Sequence, residues 1–423
     1  MQKTFYGWWI TLATFFTFGL AVGIPYYGGP FFYDYYMQTF GWTRADITLG
    51  FPIAATFTLW VGPLLVHRFS PRRLILIGTA MTGLAFVGFG TMGGGLGLYY
   101  GLWFLYVIGY IFSGPIPHQV IISQWFRKHR GKAMAIAYLG VGVFGGLSAK
   151  FVAKPLTDLF GFQGALIAIG SLMLLVWPIT LFALRDRPAD MGLMPDGESS
   201  ATALPPAAPR NFRYLLRQRA FWLLALGSFA SIGAIGSVNQ HMKLVFLEQG
   251  YTDQNQLDTV FGNATMMILW SSIGGRLFMG WAADRFPKKY VMFITYALVA
   301  GTIPLLLTVH PGSETSLYVF AILFGFGMGA DYMLIPLMAA EHFGVNTLAR
   351  SMAIILPTDT IGQTWFPYLV SILHGALGGY KYAMLAVFGL AALGALAIAM
   401  LPKHGQKDES VSSVEPGRMA AKR

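Results

Sequence analysis

Apolar residues run in blocks of about 20 along nearly the whole chain, and polar or charged residues are confined to short breaks between them. A block of that length crosses the hydrocarbon core of a bilayer as a helix. Inside lipid every backbone N–H and C=O must be bonded within its own segment, so the blocks predict α-helices. Twelve are expected, at about 7–32, 45–66, 74–93, 97–122, 133–157, 162–184, 221–247, 259–283, 290–310, 315–341, 350–374 and 380–401. The first carries IPYYGGPFF, where Pro25, Gly28, Gly29 and Pro30 predict a bent or loosened outer half. After it, FGWTRADIT offers Thr43 or Asp46 as a helix cap. Residues 185–220 break the pattern with Pro188, Pro195, Pro205, Pro206 and Pro209, then the basic run RNFRYLLRQR, and predict an inner linker. The pattern on either side of it repeats. HRFSPRR after the second block matches DRFPKK after the eighth, with His67 opposite Asp284, and WFRKHRGKAMAI after the fourth matches HFGVNTLARSMAI after the tenth. The expected fold is an all-α membrane protein of twelve transmembrane helices in two pseudo-symmetric six-helix bundles. These are residues 1–184 and 221–401, with a cytoplasmic linker at 185–220 and a cytoplasmic tail at 402–423. Such parallel repeats are the mark of a two-lobed transporter.

Composition sharpens this. Only 11% of residues are charged, under half the share usual in soluble domains, and mean hydropathy is +0.56. The 51 glycines and 22 prolines suit membrane helices, where small residues let helices approach. There is no cysteine, which excludes disulfides. The segment before the first block is short and the block too long for a signal-peptide core, so no cleavable signal is expected. The net charge of +11 would fit a nucleic-acid binder if it formed a patch. Instead, with the N-terminus inside, the outer segments hold only Arg44, Lys243 and Lys381, Lys150, Lys154 and Arg276 lie within blocks, and the remaining Lys and Arg fall on the inner side. That asymmetry predicts cytoplasmic N- and C-termini, here in a bacterial cytoplasmic membrane, and no nucleic-acid partner. Trp8 and Trp9 are expected as anchors at the inner interface.

The chemistry lies in charges set at membrane depth. An arginine at mid-bilayer costs about 3 kcal/mol or more, so each such residue is a functional candidate. Arg276 stands among apolar and small residues in SSIGGRLFMGWAADRFPKK, and that block ends abruptly in Asp284 and Arg285. Asp284 falls near the same helical stripe as Arg276, with Gly280 between them expected to admit a neighbouring helix. The other deep charges are Lys150 and Lys154, one turn apart, with Asp331 and Asp359; Glu341 and Asp34 lie at block ends. Lys154 is close enough to its end to snorkel to water. Two arrangements fit. Arg276 pairs with Asp359 or Asp331 and holds helices together, or the cations face a central cavity and favour an anionic substrate, with Arg276 gripping a carboxylate bidentately. A carboxylic acid withdrawn from water favours its protonated form, so Asp359 and Asp331 are the candidates for proton coupling. Tyr26, Tyr27, His118, Asn239 and His241 sit in polar patches beside helix breakers and are second-tier contacts, the histidines also being candidates for plain helix-to-helix hydrogen bonds. No metal-ligand cluster, phosphate loop or nucleophile–base pair stands out, so neither a cofactor nor an enzyme is expected.

Several of these stretches resemble known ones. GWAADRFPKK (280–289) resembles the signature turn between the second and third helices of the major facilitator superfamily, here in the second half. The first-half copy departs from it, with His67 in place of the usual acid and Ser70 in place of glycine. Within that superfamily FYGWWI, FGWTRADIT, WFRKHRGKAMAIA, FGFQGAL and RDRPADMGLMPDG are similar to the monocarboxylate transporter and oxalate/formate antiporter group. The resemblance implies that the eighth-helix arginine, Arg276, binds substrate carboxylate. It also implies charged turns at Arg68, Arg72, Asp284 and Arg285, with Gly280, that help set the conformation. The departures are Ser272 where an aspartate is usual, Tyr26 where a lysine follows the first-helix proline, and Asp359 where the antiporters carry a lysine. They imply a proton site moved to Asp359 or Asp331, with Lys150 in place of a lost cation.

The expectation is therefore a monomeric secondary transporter in the lipid bilayer. It moves a small organic anion, a lactate- or pyruvate-like monocarboxylate, together with a proton. An organic anion exchanger, a carrier of zwitterions or cations bound by Asp331 and Asp359, and a non-transporting sensor are the alternatives.

Overall fold

The computed structural model describes residues 5–58, 69–126, 129–197, 215–343 and 348–402. His67 and Arg68, much of the linker (198–214) and the tail from 403 lie outside the described residues. Among the described residues the chain is helical, with no strand. The helices are α1 (Gly7–Phe40), α2 (Arg44–Thr58), α3 (Pro71–Thr91), α4 (Leu96–Trp125), α5 (130–160), α6 (162–183), α7 (Arg219–Glu248), α8 (Gln254–Arg285), α9 (Lys288–Leu306), α10 (Glu314–Phe343), α11 (Leu348–Leu377) and α12 (Tyr380–Ala399). By length and apolarity alone eight stretches would cross a membrane, and one of these, 131–183, holds both α5 and α6. The break inside it is Gly161 at φ +70°, a left-handed turn that glycine adopts at little cost. Of the remainder, part of α2 lies beyond the described residues, while α8 and α11 are not among the eight.

Two sequence expectations change. The breakers loosen α1, as expected, but the helix does not end near residue 32. A π-turn covers Gly19–Gly23 and a tight 3₁₀ turn Gly29–Phe32, after which the helix resumes and runs to Phe40. Pro30 lies in the first positions of the 3₁₀ turn, where its missing N–H costs little. Asp34 is therefore helical and buried. Gly280 makes only ordinary contact with Met333, since a Cβ there would stand 3.4 Å away. The close approach of α8 to α10 comes earlier, where a Cβ on Gly275 would lie 1.9 Å from the Phe326 carbonyl oxygen and one on Gly329 1.9 Å from that of Ser272. The cap after α1 forms as a reciprocal pair: Asp46 Oδ2 accepts from the Thr43 N–H at 2.9 Å, and Thr43 Oγ1 accepts from the Asp46 N–H at 3.2 Å.

The helix pairings repeat between the halves. α1 packs on α5 as α7 packs on α11, and α3 on α4 as α9 on α10. The halves meet through α8 against α5 and α11 against α2. At the start of α3, Ser70 Oγ donates to Asp186 Oδ2 at 2.5 Å, and Arg72 Nε donates to the Thr180 carbonyl at 2.9 Å. Arg72 thus ties α3 to the end of α6 within the first half. Asp284 and Arg285 are exposed, with Arg285 over the Trp281 ring at 4.9 Å.

Candidate substrate cavity and outer seal

Polar side chains between the halves fall into two layers. The deeper one surrounds Arg276. This arginine is half-buried on α8, and its Nε donates to the Gly329 carbonyl of α10 at 3.2 Å, a carbonyl brought within reach by the glycine contact. Its other N–H groups have no hydrogen-bond partner among the described residues. Its electrostatic neighbours are Tyr27 of α1 and Tyr138 of α5, both from the opposite half. The Tyr27 ring reaches this place because Gly145 of α5 has no side chain, a Cβ there falling 2.7 Å from it. Beside it runs a chain of amides and phenols. Tyr332 Oη donates to Gln363 Oε1 at 3.0 Å, Gln363 Nε2 donates to Tyr26 Oη at 2.7 Å, and Tyr33 Oη donates to Gln240 Oε1 at 2.6 Å. Tyr332 is 44% exposed although it lies mid-helix among Tyr26, Tyr27 and Tyr110, so it lines open space between the halves.

The second layer lies toward the end of the bundle that carries the turns between α1 and α2 and between α7 and α8. Lys243 of α7 is fully buried between Asp34 of α1 at 2.7 Å and Asp258 of α8 at 2.6 Å. It also donates to the Phe31 carbonyl at 2.5 Å and stands over the Phe31 ring at 4.1 Å. Tyr35 Oη donates to Asp258 Oδ2 at 2.5 Å and Gln254 Nε2 to Asp34 Oδ2 at 2.6 Å. Thr48 Oγ1 meets Ser371 Oγ at 2.8 Å. These bonds tie the halves together at one end of the cavity.

The other sequence candidates fall elsewhere. Asp331 and Asp359 are buried inside the second half, where Ser231 Oγ donates to Asp331 Oδ2 at 2.5 Å and Ser228 Oγ to Asp359 Oδ1 at 2.7 Å. Arg276 pairs with neither, so the arrangement in which it locks to one of them is not the one adopted. His118 bonds Thr17 Oγ1 at 2.9 Å and the Gly114 carbonyl at 2.8 Å, both within the first half. His241 bonds Tyr380 Oη at 2.8 Å and the Pro367 carbonyl at 2.7 Å, both within the second. Asn239 is half-buried and donates to Met328 Sδ at 3.5 Å. Lys150 is half-buried on α5, its backbone against Gly262 of α8. Lys154 pairs with exposed Asp158 at 2.9 Å.

Sequence reasoning passed over Gln240, Gln363, Tyr332 and the Lys243–Asp258 pair. Gln240 lay in the polar run VNQHM between the two residues chosen from it. Lys243 reads as a helix-end cation because nothing in one dimension shows that α1 continues alongside it.

Comparison with known proteins agrees with this architecture. A family model described as Major Facilitator Superfamily matches residues 113–277 and 252–420, together well over half of the chain. Monocarboxylate transporter 11 of Homo sapiens is 25% identical over 94% of this chain and 83% of its own length. The Hexuronate transporter of Escherichia coli (strain K12) is 26% identical over 65% of this chain and 66% of its own. Among solved structures, a bacterial homolog of the human lysosomal transporter Spinster, in an inward-facing and unoccupied conformation, superposes with a TM-score of 0.71. It is 15% identical, with 95% of this chain and 98% of that one covered.

Proposed function

Since this chain belongs to the Major Facilitator Superfamily and is therefore a multi-pass membrane transporter and not an enzyme, we propose that it carries a small monocarboxylate, of lactate or pyruvate size, together with a proton. The observation that carries this reading is Arg276: a guanidinium at mid-depth, between the halves, with one backbone bond and no other hydrogen-bond partner among the described residues. Such a group matches a carboxylate bidentately and costs too much at this depth to be idle. The buried position of Asp331 and Asp359, away from the open space, favours an anionic substrate over a cationic one. Tyr27 and Tyr138 flank the carboxylate site. Tyr26, Tyr332 and Gln363, with Asn239 at the rim, bond the substrate's remaining polar atoms. Lys150 draws anions toward the cavity, and His118 and His241 act through helix geometry. Asp359 and Asp331 take up and release the coupled proton, so that anion and proton cross as a neutral pair.

Transport proceeds by rocking of the two halves, 1–184 and 221–401, about the Arg276 site. The Asp34–Lys243–Asp258 cluster seals the outer end in the inward-facing state. It opens when Asp34 and Tyr35 leave with the first half while Lys243 and Asp258 stay paired on the second. Asp284 and Arg285, exposed at the end of α8, are placed to change neighbours in this motion, whereas Arg72 stays tied to α6 within the first half and Gly280 to Met333 within the second. The Lys and Arg distribution supports cytoplasmic termini.

The test is uptake of labelled monocarboxylates by proteoliposomes. Arg276→Gln should abolish uptake while the protein still folds and elutes as the parent does. Normal uptake by that variant would sink the assignment.

A further inference from the structure

The run PIPHQ in α4 has one member with no role so far. The helix breaks at Gly114, where the backbone leaves helical geometry (φ −91°, ψ −145°), and restarts at Pro115. On the restarted turn His118 faces α1, and its neighbour Gln119 faces α5 instead. There Gln119 Nε2 donates to Tyr138 Oη. That is the one hydrogen bond of the Tyr138 hydroxyl among the described residues. The Tyr138 ring is held edge-on to Phe18 at 5.0 Å and packs in one cluster with Tyr26 and Tyr27.

Helix register brings Tyr138 to the level of Arg276. α5 and α8 run antiparallel along their contact. A Cβ on Gly142 would stand 3.5 Å from Ile273, one on Gly145 2.9 Å from Leu269, and one on Gly262 3.1 Å from Lys150. One turn back along α5 from Gly142 lies Tyr138, and one turn on along α8 from Ile273 lie Arg276 and Leu277. Leu277 is 65% exposed, so Arg276 is the member of that pair turned between the halves.

A phenol carries one O–H and lone pairs that accept. The Gln119 amide N–H occupies a lone pair, which leaves the O–H to donate, and accepting one bond strengthens the bond it donates. A site whose rim offers an O–H on one side and guanidinium N–H groups on the other presents donors alone. A carboxylate, which only accepts, matches that rim.

We infer that Gln119 is a positioning residue of the carboxylate site. It holds the Tyr138 hydroxyl as a donor, so that a bound carboxylate is gripped by Tyr138 of the first half and Arg276 of the second. The inference rests on the reading of Arg276 as the carboxylate binder and adds the opposite half's contribution to it. A carboxylate held this way bridges the two halves, which ties its binding to their rocking.

The test titrates lactate against the melting temperature of the purified full-length protein in detergent, since a ligand bound only by the folded state raises that temperature in a saturable way. Tyr138→Phe, which removes only the hydroxyl, should weaken the apparent lactate affinity about tenfold or more. Gln119→Met keeps the length and apolar bulk without the amide, and should weaken it roughly three- to fivefold. Added to Tyr138→Phe, Gln119→Met should change the lactate affinity no further, because Gln119 acts through the hydroxyl. A merely structural tie would instead lower the melting temperature without lactate and leave the affinity alone, and that result overturns the inference. So does a gain in affinity with Gln119→Met, which would mean that the hydroxyl donates to the amide. If Gln119→Met does not fold, an undiminished affinity in Tyr138→Phe still overturns it. The two readings fail differently. A parent that gives no saturable shift with lactate overturns the carboxylate reading and this inference with it. A shift lost in Arg276→Gln but equal in the parent, Tyr138→Phe and Gln119→Met overturns this inference alone.

Discussion

Replacing Asp34 by asparagine should unlatch the outer end. Asp34 is the first half's only carboxylate in the buried cluster among the described residues, and it meets Lys243 at 2.7 Å with no water access to either. Asparagine keeps an acceptor oxygen but removes the charge. Hydrogen bonds to charged groups contribute about 1.5–3 kcal/mol each. That loss falls on the sealed state alone, because Lys243 keeps Asp258 at 2.6 Å on its own half when the halves part. The ratio of sealed to open molecules should therefore fall by roughly 10- to 150-fold. Lys243→Met is a blunter change: it strands two buried carboxylates, costs about 3–5 kcal/mol, and threatens folding itself. The chain contains no cysteine, so a single reporter thiol needs no prior clearing of the background. Thr48→Cys places it in the seal, at a buried position against Ser371. Labelling by a bulky charged maleimide should run at least tenfold faster with Asp34→Asn than without it. Equal labelling rates would refute the latch, and a lowered melting temperature with unchanged labelling would reduce the cluster to a structural tie.

Other outcomes follow from the same geometry. Gly329→Val should prevent stable folding, since even a Cβ would collide with the Ser272 carbonyl oxygen at 1.9 Å; a monodisperse, active variant would contradict the packing of α8 on α10. His118→Ala should lower the melting temperature by the loss of two buried hydrogen bonds, about 1–3 kcal/mol in all, and leave substrate KM unchanged. A rise in KM without loss of stability would instead put His118 in contact with substrate. Gln363→Leu breaks the link between Tyr332 and Tyr26 and should weaken substrate affinity by several-fold to about tenfold, read from KM in uptake. Monocarboxylates should raise the melting temperature of the parent and not of Arg276→Gln, whereas stabilisation by cations alone would return the binding role to Asp331 and Asp359.

The architecture was legible because bilayer thickness imposes one period on every helix, and because the two halves carry the same punctuation, HRFSPRR and DRFPKK. Arg276 stood out as a candidate because a guanidinium amid apolar residues has no ordinary explanation at membrane depth. The seal was not. Asp34 and Lys243 each sit where a helix could end, and only the continuation of α1 through its 3₁₀ turn to Phe40 buries them against each other. Nor does one dimension show which way a polar residue faces. In VNQHM, Asn239, Gln240 and His241 are adjacent on a helix that turns by 100° per residue, so one bonds across the halves while its neighbour bonds α11 and α12. The separation of Arg276 from the two acids was equally hidden, since it depends on the glycine contacts that set α8 against α10.

The central claim is a proton-linked monocarboxylate carrier built on Arg276, and the direct measurement is accumulation of labelled lactate in proteoliposomes under an imposed pH gradient. The account predicts concentration of lactate on the alkaline side, collapse when a protonophore is added, and no accumulation with Arg276→Gln. Accumulation indifferent to the gradient, or equal in the variant, would contradict it.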